Sequence, residues 1–305
     1  MISIPFDPNI IDSGSFTLSW HGFLSFIAVG GATFMVGRWA RKANVDPDVI
    51  YNVAVFAILG GIIGARFVHV TDNWDFYTNN PSNAFQVWNG GISLWGGLLG
   101  GWLGGLLYGV VYNAFNPRSA TRVPIGRVMD LAAPAVLIAQ AIGRVGDLIN
   151  GEHWSKATDL PWGWVFTNFS SPGFQGPPLS RTDVDWDPTQ ATHPTVAYEL
   201  IGDVLLFMLI WKLRGKFRPD GALWIIYITL YSTMRFGLQF FRIDEVKFWG
   251  LQQAHFLAIM VVIATVPWMI RYMRRRVSSG PAGDSSGQPS GPRTSRRRRR
   301  RRAAA

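Results

Sequence analysis

The chain contains no cysteine, and only 16% of its 305 residues are charged. Without cysteine there is no disulfide scaffold, no thiolate metal site and no cysteine nucleophile, so any thiol in its chemistry belongs to another molecule. So few charges, beside 14 Trp and 20 Phe, exclude a disordered chain. Lys and Arg are scarce wherever the chain is apolar. Twelve of the 29 fall within residues 271–305 beside one acid, Asp284, and the other 17 are matched by 18 acids. The formal charge of +10 is thus carried by a tail, and the body offers no basic surface to nucleic acid. The first 37 residues have no Lys or Arg, so the basic region of a secretory signal peptide is missing and the first apolar run reads as a retained anchor.

Long apolar runs are what the chain does have. A membrane-spanning helix takes roughly 20 mostly apolar residues, and seven such runs occur at about 18–37, 52–70, 90–112, 128–150, 194–212, 221–242 and 255–272. The third carries Gly97, Gly101, Gly105 and Gly109 at four-residue intervals, a spacing that lets membrane helices approach closely. Short loops rich in Lys and Arg stay cytoplasmic. Arg38, Arg41 and Lys42 follow the first run, Arg118, Arg122 and Arg127 the third, and Lys212, Arg214, Lys216 and Arg218 the fifth. The alternate segments 1–17, 71–89, 151–193 and 243–254 contain only Lys156, Arg181 and Lys247. The expected fold is therefore an all-α polytopic membrane protein of seven transmembrane helices, with its N-terminus outside and its C-terminus in the cytoplasm. Residues 1–277 form the membrane domain, including a small irregular outer cap at about 151–193 rich in Pro, Gly, Trp and Asp. Residues 278–305, with Arg296 to Arg302, read as a disordered cytoplasmic tail attracted to anionic lipid heads.

Ionisable groups within a bilayer are costly and point to function unless a partner explains them. On this topology His21, Arg66, Arg144, Asp147, Glu152, Glu199, Arg235 and Arg242 all fall toward the outer leaflet, and only Asp130 lies near the inner face. Arg235, Gln239 and Arg242 share one helical face, and Arg144 and Asp147 are i,i+3 neighbours. Glu199 and Asp203, at i,i+4, repel unless an arginine faces them or one is protonated. Guanidinium groups converging at head-group depth suit a phospholipid phosphate, which they bind through paired hydrogen bonds. The same arginines also suit structural bridges to Asp147, Glu152 and Glu199. A transporter, the other class that buries charge in a bundle, predicts polar groups through the whole membrane depth and an internal repeat, and neither is visible.

The stretch Gly143-Arg144-Val145-Gly146-Asp147-Leu148-Ile149-Asn150-Gly151-Glu152-His153-Trp154 resembles the signature of the prolipoprotein diacylglyceryl transferase family. Supporting stretches are Trp88 to Ser93, Gly96-Gly97-Leu98, His193-Pro194-Thr195 with Tyr198-Glu199, and Arg235 with Phe240-Phe241-Arg242, in the family's order over about 18–270. The resemblance implies transfer of the sn-1,2-diacylglyceryl group from phosphatidylglycerol to the thiol of a prolipoprotein's lipobox cysteine, giving a thioether and glycerol 1-phosphate. It also implies a monomer in the cell membrane, its site facing the outer leaflet, with no metal or cofactor. Arg144 would hold the lipid phosphate, with Arg235 as a second anion contact. Asn150 and Glu152 would orient groups in the same turn, and Glu152 would equally serve as a structural partner. Asp147, Tyr198, Gln239, Arg242 and Arg66 complete the expected lipid contacts, with Tyr198 and the cap residues Trp154, Trp162 and Trp164 suited to the membrane interface.

This chain departs from the family's usual pattern at five positions. His21 stands where the family usually has Tyr, Trp95 where it often has His, and Asp147 where Asn is common; Ser155 replaces Gly and Gln239 replaces Glu. Trp95 cannot take a proton. His21, which titrates near neutral pH and opens the first helix at the right depth, becomes the expected base, or else a hydrogen-bonding replacement for tyrosine. Asp147 would either position Arg144 or compete with phosphate for it. A member that binds phospholipid without catalysis remains open on these departures.

Overall fold

The computed structural model describes residues 1–14, 17–86, 93–117, 122–151, 153–177, 186–244 and 246–278, with backbone alone at 94, 95, 247 and 272–278. The signature glutamate Glu152, the Trp88 to Ile92 stretch, Arg118, Arg181 and the Arg-rich tail lie outside the described residues. In chain order the elements are strands β1 (Ile2–Ile4), β2 (Asn9–Asp12) and β3 (Thr17–Ser19), helices α1 (Trp20–Lys42), α2 (Pro47–Asp72) and α3 (Trp74–Asn79), and a 3-10 turn at Pro81–Phe85. Helices α4 (Leu94–Phe115) and α5 (Ile125–Asn150) follow, then β4 (Trp164–Phe166) and α6 (Pro172–Gln175). Helices α7 (Thr195–Leu213) and α8 (Ala222–Gln239), the hairpin β5 (Val246–Phe248) and β6 (Leu251–Gln252), and α9 (Gln253–Ser278) complete the chain.

Five of these helices are long and apolar enough to cross a membrane: α1, α2, residues Gly96–Phe115 of α4, α5, and residues Gln253–Arg271 of α9. Their outward faces carry exposed Phe26, Ile63 and Leu107, as a surface bathed in hydrocarbon would. Helices α7 and α8 are 19 and 18 residues long and turn polar groups inward, namely Glu199 and Asp203 from α7 and Gln239 from α8. The molecule is thus a helical, multi-pass membrane protein, and among the described residues two apolar clusters lie between its long helices. Val36, Ala40, Val49, Ile50, Val128 and Ala135 join α1, α2 and α5. Ala133, Leu137, Ile210, Leu223, Ile226 and Tyr227 join α5, α7 and α8. Helix α5 belongs to both clusters and is the axis of the bundle.

Glycine decides how closely two pairs of helices approach. Helices α2 and α4 meet backbone to backbone, and a methyl group added at Gly60, Gly64, Gly96, Gly100 or Gly104 would strike a backbone carbonyl of the opposite helix. The closest seam therefore runs one residue away from the stripe the spacing singles out. Cβ atoms at Gly97 and Gly101 would make contacts of 3.6 and 3.3 Å, and Gly105 faces Val53. Small residues on both helices make either register possible, and only the partner helix chooses between them. At the other contact, a Cβ on Gly146 would lie 2.9 Å from His21 Cα, so the bare glycine brings the last turn of α5 against the start of α1.

The segment expected to form a cap, about 151–193, has more order in its described residues than its composition implies. β1 pairs in parallel with β4, Ile2 opposite Trp164 and Ile4 opposite Phe166, so the extreme N-terminus is a strand of the cap. Single bridges join Ser155 to Arg242 and both Ala157 and Trp164 to Thr192. Trp164 is only 9% exposed and packs with Ile4 and Val196, which makes it core and not an interfacial belt residue. Trp154 donates to the Pro172 carbonyl at 2.9 Å, and Trp162 donates to the Tyr198 hydroxyl at 3.0 Å.

Candidate active site

Helix α5 ends at Asn150 because Gly151 adopts a left-handed conformation, φ 76°, which turns the chain back toward the cap. The final turn before this stop presents Arg144 and Asp147 inward. Asp147 is buried, and its two oxygens meet three different groups. Its Oδ1 lies 2.6 Å from His21 Nδ1, while Oδ2 lies 2.5 Å from Arg144 Nη1 and 3.0 Å from His153 Nε2. Gly146 makes this possible by letting α1 close on the same turn.

A second carboxylate joins helices. Glu199 on α7 is 1% exposed; its Oε2 lies 2.9 Å from Arg144 Nε as an ion pair, and its Oε1 pairs with Arg235 Nη1 on α8. The two arginines, 91 residues apart in sequence, are thereby held on either side of one acid. Asp203, one turn further along α7, is fully buried, and neither of its oxygens has a hydrogen-bond partner among the described residues.

His153, on the chain just after α5, binds the remaining arginine. Its Nδ1 lies 3.1 Å from Arg242 Nη2, and its Nε2 lies 3.1 Å from Arg144 Nη1 as well as 3.0 Å from Asp147. Arginine only donates, so Nδ1 accepts from Arg242, while Nε2 sits between the Arg144 guanidinium and the Asp147 carboxylate. Burial, helped by the Arg242 guanidinium, pushes the His153 pKa below its ordinary value, in keeping with this neutral form. Arg242 Nε also donates to Asp244 at 3.1 Å, Gln239 Nε2 donates to Asp244 at 2.6 Å and to Gln252, and Gln252 donates to the Arg242 carbonyl at 3.1 Å. One polar network thus links α1, α5, α7, α8 and the β5–β6 hairpin.

Arg144, Asp147, His21, Arg235, Arg242 and Gln239 all belong to this network. Arg235, Gln239 and Arg242 do not form one helical face, however, because α8 stops at Gln239 and the Ser155 bridge draws Arg242 into the cap. Asn150 is buried beneath the cap, its carbonyl facing Ser171 Oγ at 3.4 Å. Tyr198 faces Trp162, His193 and Phe241. The described contacts of Arg66 are with the Asn83 and Ala84 carbonyls, the latter at 2.8 Å, and with the face of Tyr77. Asp130 accepts the Gly221 and Trp224 amides at 2.8 and 3.0 Å, capping α8 at the end remote from Arg235. Ser155, where the family pattern has Gly, ties the cap to α7 through a 2.6 Å bond with Thr195. Sequence reasoning missed His153, Asp244 and Gln252. None lies on a periodic helix face, and the only signal was the position of His153 inside the signature.

Beside the ionic cluster, an apolar groove of about 260 Å3 runs between α5 and α7. Its lining includes Leu137, Ala141, Val145, Leu200, Val204 and Phe207, and Val145 and Leu200 directly follow Arg144 and Glu199 in sequence. The groove therefore borders the turns of α5 and α7 that carry Arg144 and Glu199.

Such a molecule is a helical multi-pass membrane protein with arginines and buried acids clustered at one end of its bundle. A family model described as prolipoprotein diacylglyceryl transferase matches residues 8–271. The chain is 30% identical over 277 residues to a phosphatidylglycerol--prolipoprotein diacylglyceryl transferase of Dehalococcoides mccartyi, covering 90% of this chain and 97% of that protein. It is 31% identical over 290 residues to the protein of the same name from Pseudomonas paraeruginosa, with the same coverage, and 28% identical over 278 residues to that of Trichormus variabilis, covering 88% and 91%. The chain belongs to the prolipoprotein diacylglyceryl transferase family, and it is a transferase.

Proposed function

We propose that the protein transfers the sn-1,2-diacylglyceryl group of phosphatidylglycerol to the lipobox cysteine thiol of a prolipoprotein, forming a thioether and releasing glycerol 1-phosphate. The observation that carries this reading is the meeting of Arg144 and Arg235, from separate helices, across one buried acid beside an apolar groove. In the reaction the thiol loses its proton, and sulfur attacks the glycerol carbon bonded to phosphate. The carbon–oxygen bond breaks, and negative charge grows on the departing phosphate ester. Fixed guanidinium donors where water is scarce stabilise that charge, each typically contributing about 100-fold or more in rate. Arg144 and Arg235 do this work, with Arg242 and Gln239 behind them.

His21 takes the thiol proton. Its Nδ1 lies 2.6 Å from the Asp147 carboxylate, a placement that favours the proton on Nδ1 and the lone pair on Nε2, and its side chain is 42% exposed where a substrate can approach. Asn150 and Glu152 orient the same turn, and Tyr198 lines the side nearest the cap. Arg66 supports the outer loop beside the site and reaches the head group at its margin.

The seven helices of 18 residues or more all cross the membrane, placing the N-terminus outside, the C-terminus in the cytoplasm and the site at the outer leaflet of the cell membrane. Supporting this are the bias of Lys and Arg to alternate loops and the common end of the bundle at which α1 begins and α5 stops. Residues 1–277 form the membrane domain with its cap, and the enzyme acts as a monomer. Purified protein incubated with phosphatidylglycerol and a lipobox peptide should raise the peptide's mass by one diacylglyceryl unit. An unchanged peptide from protein that binds the lipid would overturn the proposal.

A further inference from the structure

Glu199 is placed where a substrate phosphate would be expected to sit. Each of its oxygens meets a different guanidinium, Arg144 Nε at 2.9 Å and Arg235 Nη1, and the acid is 1% exposed. Carboxylate and phosphate present the same feature to arginine, a pair of anionic oxygens that accept from its fork. Both cannot occupy one pair of donors. Arg144 has a second acid, Asp147 at 2.5 Å, and stays anchored without Glu199, whereas Arg235 has no other acid partner among the described residues.

The surroundings of Glu199 favour its return. Asp203 lies one turn along the same helix face, fully buried and without a hydrogen bond from any described residue. Beyond those two arginines, the described groups whose charge reaches Glu199 are Arg242 and His153 on one side, and the acid Asp203 lies beneath it.

We infer that Glu199 is an exchangeable counter-anion, a positioning residue that neutralises Arg144 and Arg235 in the empty site, yields them to the phosphate of the lipid, and competes the phosphate product off afterwards. This rests on the phosphate-binding reading of the two arginines given above. Its consequence runs against ordinary intuition, because removing a buried partner of two arginines should tighten substrate binding.

The test uses the full chain in nanodiscs, with a lipobox peptide and varied phosphatidylglycerol. In Glu199→Gln the KM for phosphatidylglycerol should fall about tenfold, the scale of a close charge pair. The inhibition constant of added glycerol 1-phosphate should fall by a similar factor, and kcat should fall because product leaves slowly. A purely structural acid would instead raise KM as the arginines drift. Should the glutamine variant fail to accumulate, Glu199→Asp replaces it, since a side chain one methylene shorter cannot span both guanidiniums; the same fall in KM is expected. A KM equal to or above that of the wild type in whichever variant accumulates overturns the inference. Tightening toward phosphatidylglycerol without tightening toward glycerol 1-phosphate overturns product eviction. Arg144→Gln and Arg235→Gln distinguish the two levels: if neither raises KM, the phosphate-site reading itself fails.

Discussion

Asparagine in place of Asp147 changes one atom and should disable the site. The aspartate accepts from Arg144 at 2.5 Å and lies 2.6 Å from His21 Nδ1 and 3.0 Å from His153 Nε2. Asparagine keeps one acceptor oxygen and turns an NH2 group toward donors, so at least one hydrogen bond to a charged acceptor is lost and a donor is left facing a donor. Bonds to charged groups contribute about 1.5–3 kcal/mol each. A loss of about 3 kcal/mol in site organisation corresponds to roughly 100-fold in rate. Initial rates of peptide diacylglycerylation should therefore show kcat lower by about 100-fold in Asp147→Asn, with KM for phosphatidylglycerol unchanged or higher. The alternative, that Asp147 competes with lipid phosphate for Arg144, has the opposite sign. Tighter lipid binding with kcat preserved would refute the positioning role, and the contrast with Glu199→Gln makes the pair of variants decisive.

The glycine seam offers a second check: Gly100→Ala should destabilise the bundle by about 1–3 kcal/mol, whereas Gly97→Ala, whose methyl would lie 3.6 Å from Ala65 Cβ, should be tolerated. Thermal unfolding in detergent separates the two, and equal loss in both would contradict the packing. His153 is neutral when folded because burial lowers its pKa, while the unfolded chain protonates it below about pH 6.5. Unfolded chains thus bind the extra proton, and stability should fall as pH drops from 6.5 toward the folded value. His153→Gln retains one donor and one acceptor without titrating, so its melting temperature should decline less between pH 7 and 5.5 than that of the wild type. Because the chain has no cysteine of its own, single substitutions report topology directly. Lys156→Cys should react with an impermeant maleimide on intact cells, and Lys216→Cys only after permeabilisation; the reverse pattern would invert the proposed orientation.

Much of the bundle is legible from local chemistry. Apolar runs long enough to span a bilayer mark the helices, and the gathering of Arg144, Asp147, Glu199 and Arg235 follows from the cost of leaving such groups in hydrocarbon. Of the pair expected to need an arginine or a proton, Glu199 meets two arginines, Arg144 and Arg235, and Asp203 meets none by ion pair among the described residues. Less legible were the contacts that depend on a neighbour's register. The Gly97 stripe and the Gly96 stripe are equally small, and only the position of Gly60 and Gly64 on α2 selects the second. Arg242 continues the face of Arg235 by periodicity, yet the pairing with Ser155 ends that face. The β1–β4 pairing joins residues more than 160 apart, beyond the reach of any local pattern.

By itself the sequence determined the helical membrane class, the family signature, and which ionisable groups would have to be neutralised within the bundle. It did so because a bilayer penalises unpaired charge and rewards apolar length wherever those residues occur. Only the tertiary structure decided which acid neutralises which arginine, that His21 and His153 share Asp147, and that Glu199 stands between Arg144 and Arg235. Those choices depend on how closely backbones approach at Gly146 and on where Gly151 stops α5, distances that arise when separate helices meet and that no single helix contains.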